Sequence, residues 1–351
     1  MKPFGLISDT HNHNWSSFST TLPSGVNSRL RQILDETIRC ASEVGRAGGD
    51  TIYHAGDLFH VRGSVAPSVL NPTLEVYKKL IDMGFKIVIL SGNHDLEGKE
   101  ATSIGSAITA LQEVGCKVIN SIDDGATASD DVVMVPWIPQ VADLKDALTR
   151  VSSVTDSKDV DLIIHAGIDG VIKGLPNHGL SKEFLAGLGF RRVFAGHYHH
   201  HRDLGDGVYS IGALTHQTWS DVGSKAGFLV VSDSEVKWHA SHAPSFVEID
   251  AATAPEDIPL IVDGNYVRAK TYSGKSADLE ALRKFLTDSG ARGVTIVAQP
   301  ATGVTRTAST VKAGASIEVS VSDYINGADF DNTAKLNALC HSILTEVRGE
   351  E

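Results

Sequence analysis

The chain has 351 residues, with 31 Lys and Arg against 43 Asp and Glu and a formal net charge of −12. That length can bury one sizeable core and carry a second, smaller domain, and no apolar run approaches the ~20 residues of a membrane span. The acidic balance argues mildly against nucleic acid, whose binders usually draw affinity from Lys and Arg. Met1-Lys2-Pro3 leads straight into a strand and does not read as a signal peptide. Cys40, Cys116 and Cys340 are far apart in apolar contexts, so a cytoplasmic protein with reduced thiols is expected.

In chain order, Phe4-Gly5-Leu6-Ile7 reads as a buried strand and ends in Ser8-Asp9-Thr10-His11. A helix follows from about Ser28 to Ala47, with Leu30, Ile33, Leu34, Ile38, Ala41 and Val44 as its stripe and Gly48-Gly49 as its stop. Thr51-Ile52-Tyr53 is the second strand and leads to Gly56-Asp57-Leu58-Phe59-His60. A second helix is expected near Thr73 to Met83, carrying Leu74, Tyr77, Leu80 and Ile81. The third strand, Phe85 to Leu90, precedes Gly92-Asn93-His94-Asp95, and a third helix is expected near Ser103 to Val114.

Strands then dominate: Cys116 to Ile119, Val132 to Trp137, Val160 to His165, Arg192 to Ala195, Gly207 to Ile211, Gly227 to Ser232 and Val236 to His239. Two of them run into His165-Ala166-Gly167 and Gly196-His197-Tyr198-His199. Early crossovers and late consecutive strands predict a mixed α/β sandwich with two facing sheets and helices outside. Linker composition at Ala243-Pro244 and Ala251 to Pro259 sets the expected boundary, with one domain over 1–243 and a smaller α/β cap over 244–351. In the cap, a strand (Asn265 to Tyr272), a helix (Asp278 to Asp288), a strand (Val294 to Ala298), a loop (Ala301 to Ser316) and a terminal helix (Asn332 to Arg348) are expected.

Ligands of open α/β sheets bind beyond the carboxyl ends of strands, so five polar blocks at five strand ends describe one site. Its candidate ligands are Asp9, His11, Asp57, Asn93, His165, His197 and His199. Carboxylate, amide and imidazole donors suit two borderline-hard divalent ions, not a Cys-rich structural zinc. Gly56 lets the backbone come close to Asp57, whose two oxygens can bridge two ions, and His-x-His on an extended segment turns both rings to one side. Two ions ~3.5–4 Å apart suit both ends of an in-line phosphoryl displacement. His94, beside Asn93, is the candidate acid for the leaving oxygen.

The ordered set D-x-H, G-D, G-N-H-D, H and G-H-x-H resembles the calcineurin-like metallophosphoesterase superfamily over roughly Met1 to His239. Within it, Gly56-Asp57-Leu58-Phe59-His60 with Pro67-Ser68 resembles the SbcD-type double-strand-break repair nucleases. The resemblance implies Asp9, His11, Asp57 and His199 on one ion and Asp57, Asn93, His165 and His197 on the other. It makes His94 the catalytic acid and gives His60 a supporting role at the substrate phosphate. It implies Mn2+, with Mg2+ as the alternative, DNA as substrate and an SbcC-like ATPase as partner; a homodimer stays open and no membrane is involved. Lys270, Lys275, Arg283, Lys284 and Arg292 give the cap a local basic excess that fits DNA. The expected function is therefore a metal-dependent DNA exonuclease and endonuclease of end processing, recombination or repair. The rivals are a small-molecule phosphoesterase, such as a cyclic-nucleotide phosphodiesterase, and a non-catalytic metal-binding scaffold subunit.

Overall fold

Strand β1 (Phe4–Ile7) feeds two cores at once, Phe4 and Leu6 entering one and Ile7 the other. Strand β7 (Asp161–His165) repeats this, with Ile163 on one side and Leu162 and Ile164 on the other. Strands buried on both faces require cover on both faces, and that requirement sets the architecture. The structure, a computed structural model, describes residues 1–98, 105–121, 127–129, 131–271, 275–298, 316–327 and 332–348.

One six-stranded sheet runs in the order β12 (Val236–Ala240), β11 (Gly227–Val231), β1, β2 (Thr51–His54), β3 (Lys86–Leu90) and β4 (Lys117–Ile119). Strands β1 to β4 are parallel, and β11 and β12 join antiparallel. The second runs β5 (Thr127–Ser129), β6 (Val132–Val135), β7, β8 (Arg192–Gly196), β10 (Val208–Ser210) and β9 (Arg202–Gly205), with β6, β7, β8 and β10 parallel. Between the sheets lie Phe4, Leu6, Tyr53, Val88, Ile163 and Phe194. Helices α1 (Ser28–Arg46) and α2 (Pro67–Asp82) cover the outer face of the first sheet, and α3 (Val141–Val154) and α4 (Lys182–Gly187) that of the second. The result is the expected mixed sandwich, layered α/β/β/α.

Local chemistry explains the ends. The Asn27 side chain accepts hydrogen bonds from the Arg29 and Leu30 amides and so caps α1. Helix α2 starts at Pro67, six residues before the expected Thr73, because its buried stripe of Val69, Thr73, Val76, Tyr77 and Leu80 runs unbroken across Pro72. The third expected helix is a 3-10 helix over Ala107–Val114 that stops at left-handed Gly115, and 103–104 lie outside the described residues. At the start of β7, fully buried Asp161 holds Arg191 Nε at 2.9 Å and Arg192 Nε and Nη2 at 2.9 and 2.8 Å.

The remaining elements are β13 (Phe246–Ile249), α5 (Ile258–Val262), β14 (Tyr266–Thr271), α6 (Ser276–Asp288), β15 (Gly293–Ala298), α7 (Ile317–Gly327) and α8 (Thr333–Arg348). The strands form a third sheet in the order β13-β14-β15. The sequence reading did not anticipate α3, α4, β13, α5 or α7, and most of its loop over Ala301 to Ser316 lies outside the described residues. The chain divides into two compact units: Met1–Ala269 with Glu280–Thr295, and Lys270–Leu279 with Ile296–Glu351. In the first, Phe18 stacks on Tyr266 at 4.9 Å and the buried Arg29 guanidinium lies 5.1 Å over Phe246. In the second, α7 and α8 pack on each other. Among the described residues no helix is long and apolar enough to cross a membrane.

Candidate metal centre

The parallel ladder of β1 and β2 does not end with the strands. The amides of Asp9 and His11 donate to the carbonyls of Gly56 and Asp57, both at 3.0 Å, and Asn12 N donates to Leu58 O at 2.7 Å. This zipper fixes Asp9, His11 and Asp57 against one another just past the carboxyl ends of both strands. It bends the chain sharply: Asp9 (φ 50°), His11 (φ 44°), Asp57 (φ 56°) and His197 (φ 92°) are four of the six non-glycine residues with positive φ among the described residues. Such backbone is strained, and it persists where surrounding bonds over-determine it. Two glycines make the close approach possible. A Cβ on Gly56 (φ 97°) would lie 2.5 Å from His165 Nδ1, and one on Gly92 would collide with the Asp57 carboxylate.

The structure brings all nine expected residues to this one end of the sandwich. The Asp9, His11 and His199 donor atoms lie within 4.8 Å of one another, as do those of Asp57, His165 and His197. Asn93 joins the second group, its Oδ1 lying 3.2 Å from His165 Nε2 and 3.0 Å from His197 Nδ1. Asp57 reaches both groups, with Oδ2 3.4 Å from His165 Nε2 and 3.6 Å from His11 Nε2. A third convergence, within the same 4.8 Å limit, joins His11 to His60 and His94.

The donor set fits divalent cations for a reason visible in its tautomers. His165 Nδ1 donates to the Ala55 carbonyl at 2.7 Å, so the neutral ring carries a lone pair on Nε2. That lone pair faces oxygens of Asn93 and Asp57, an arrangement that repels unless a cation or a proton lies between. His199 repeats the pattern: Nδ1 donates to Asp221 Oδ1 at 2.7 Å, and Nε2 faces His11 Nε2 at 3.3 Å. Asp9 Oδ1 and His11 Nδ1 are buried with no hydrogen-bond partner, and an orphaned buried carboxylate oxygen is costly without a counter-charge. The titration behaviour agrees. Burial raises the Asp9 pKa. Burial alone would lower His165, but the Asp57 carboxylate outweighs it and lifts the imidazole to about 9. Burial also opposes ionisation of Asp57, yet His165, His11 and His94 hold it well below the usual carboxylate range. Burial takes His197 down to about 3, so it stands ready as a neutral ligand.

Several residues that support the site were not singled out from sequence. Asp221 accepts from His199 and, through Oδ2, from the amides of Gln217 (2.7 Å) and Thr218 (2.9 Å). Gln217 Nε2 donates to the Asp9 carbonyl at 2.6 Å. The available signal was Thr218-x-x-Asp221, a capping-box spacing that the structure realises. Asp95 accepts from the Phe59 and Gly92 amides at 2.9 Å each and ties the second and third blocks together; burial and the Asp57 charge raise its pKa to about 7. His54 is fully buried between Thr10 Oγ1 and the Gly56 amide.

Comparison with known proteins gives the family of the chain. The calcineurin-like phosphoesterase family model matches residues 2–201. The chain is 24% identical over 173 residues to Exonuclease subunit 1 of Enterobacteria phage T4, covering 48% of this chain and 50% of the relative. It therefore spans about half the length of that curated relative. Among solved structures, Pseudomonas putida nuclease MPE gives a TM-score of 0.28 at 17% identity, covering 55% of this chain and 60% of its own. A dimetal phosphatase from Danio rerio gives 0.40 at 12% identity, with 68% and 96% coverage. Since the family match takes in more than half of the sequence and every candidate ligand, the chain belongs to the calcineurin-like phosphoesterase family.

Proposed function

We propose that the chain is a metal-dependent DNA phosphodiesterase, an exonuclease with single-strand endonuclease activity in end processing, recombination or repair. The observation that carries the reading is the His94–His60 pair beside the ligand groups. His94 Nδ1 donates to the His60 carbonyl at 2.7 Å, which fixes the ring and leaves Nε2 as its remaining proton carrier. The ring lies 4.8 Å from that of His11, at the edge of the metal centre. From there it delivers a proton to the alkoxide oxygen that leaves a phosphodiester. His60, lowered to about 4 by burial and by His13 and His94, is neutral at pH 7 and can hydrogen-bond the phosphate. Divalent ions held by the seven ligands, Mn2+ in this proposal, supply Lewis acidity toward the phosphoryl group and an activated water at neutral pH.

Support for a polymeric DNA substrate comes from the phage relative, whose name is that of an exonuclease subunit. A cytoplasmic setting and a coiled-coil ATPase partner of the SbcC kind belong to the same proposal. The net charge of −12 favours the second reading, a small-molecule phosphoesterase. So does part of the cap's basic run, where Lys284 is tied to Asp288 (2.6 Å) and Arg283 donates to the Val294 carbonyl (2.8 Å). A substrate panel with Mn2+, with and without chelator, separates the two. Chelator-sensitive cleavage of duplex, hairpin or single-stranded DNA is expected; turnover confined to cyclic nucleotides or nitrophenyl esters would overturn the nuclease reading.

A further inference from the structure

The two segments that hold His199 continue past the metal centre and enclose a second cavity. One runs on from His199 through His200, His201, Arg202 and Asp203; the other runs on from Asp221 to Ser224 and Lys225. Together they line a space of about 410 Å³. In an acidic chain its charge stands out. Arg202 and Lys225 are exposed, and neither has a carboxylate within ion-pair distance among the described residues. Lys225 Nζ lies 5.7 Å over the Trp238 ring, and His201 stacks nearly parallel on the same ring at 5.7 Å, so one indole holds two bases at the wall. Asp203 is the cavity's one carboxylate, and its Oδ1 already accepts from the Gly205 amide at 2.9 Å.

Two cations without an ion-pair partner among the described residues, one able to present a planar fork, beside the Ser224 hydroxyl match the chemistry of a phosphate oxyanion. We propose that this cavity binds a backbone phosphate of the nucleic-acid strand whose scissile diester lies at the metal centre. The proposal rests on the nuclease reading and adds to it the side on which the strand leaves the centre, past His199.

The test is fluorescence anisotropy of a labelled single-stranded DNA oligonucleotide with the full chain, Ca2+ replacing the catalytic metal, over a series of salt concentrations. Each phosphate neutralised on a single strand adds about 0.7 to the logarithmic salt slope, so Arg202→Ala with Lys225→Ala, which gives up the one phosphate held here, should lower the slope by about 0.7 and weaken binding about tenfold. Asp203→Asn removes the opposing charge, keeps the turn bond to Gly205 and should tighten binding, an outcome that misfolding would not give. Failure of either half overturns the proposal, as does a wild-type chain that does not bind the oligonucleotide. Wild-type DNA cleavage with Mn2+, measured separately, shows whether the nuclease reading falls with it.

Discussion

Asp221→Asn is nearly isosteric, yet its effect follows closely from the bonds around it. In the native site one carboxylate oxygen accepts from His199 Nδ1 and the other from two backbone amides. An amide side chain has a single oxygen, so its NH2 group must face either the imidazole N–H or the Gln217 and Thr218 N–H groups. At least one charge-assisted bond is lost, at ~1.5–3 kcal/mol each, so the metal-free fold should lose roughly 2–4 kcal/mol. The imidazole also loses the anion that orients it, and such a partner is typically worth ~10–100-fold in metal affinity. Calorimetric titration with Mn2+ should show selective weakening. The ion at Asp9, His11 and His199 should bind more weakly, while the ion at Asn93, His165 and His197 should be little changed. Equal weakening of both ions would mean that Asp221 supports the whole loop; unchanged affinity with a lowered melting temperature would refute its role as an orienting partner.

His94→Ser should keep both ions bound and slow diester hydrolysis by ~10²–10⁴, the range for loss of a general acid; wild-type turnover would place the acid elsewhere. Asp161→Ala leaves Arg192, which is 8% exposed, without its carboxylate, and should cost ~3–5 kcal/mol in urea unfolding. A loss below about 1 kcal/mol would show the cluster to be incidental. With His165 lifted to about 9 in the metal-free chain, binding at pH 7 must expel its proton, so Mn2+ affinity should rise with pH until that value is passed. The same raised pKa stabilises the metal-free fold fully below the ordinary histidine range, and that stability is lost as pH climbs through about 9. Titration in buffers of different ionisation enthalpy checks the proton release; none at pH 7 would contradict it.

The convergence of the candidate ligands at one end of the fold was readable because its code is local. Each ligand block follows a short apolar strand directly, so sequence adjacency already places Asp9, Asp57, Asn93, His165 and His197 at strand ends. What was not readable depends on partners distant in sequence. The capping-box spacing marks Asp221 only as the start of a turn, its place at the site comes through His199, and the Gln217 side chain finds its partner in the Asp9 carbonyl more than 200 residues earlier. Strand β13 was hidden for a similar reason. Phe246 is one buried aromatic in a four-residue strand, and its amide bonds to His216 Nδ1 in place of any local pattern. Pro72 masked the first turn and more of α2, because a proline inside a helix reads as a stop unless the buried stripe on both sides is weighed with it.

The most direct test is to count and place the ions. Crystals of the chain grown with Mn2+, with anomalous scattering recorded at the manganese edge, should show two peaks, one beside Asp9, His11 and His199 and one beside Asn93, His165 and His197, with Asp57 touching both. Asp57→Ala should then lose at least one ion and all hydrolysis. A single peak in an active preparation, or two peaks that do not share Asp57, would contradict the two-ion centre.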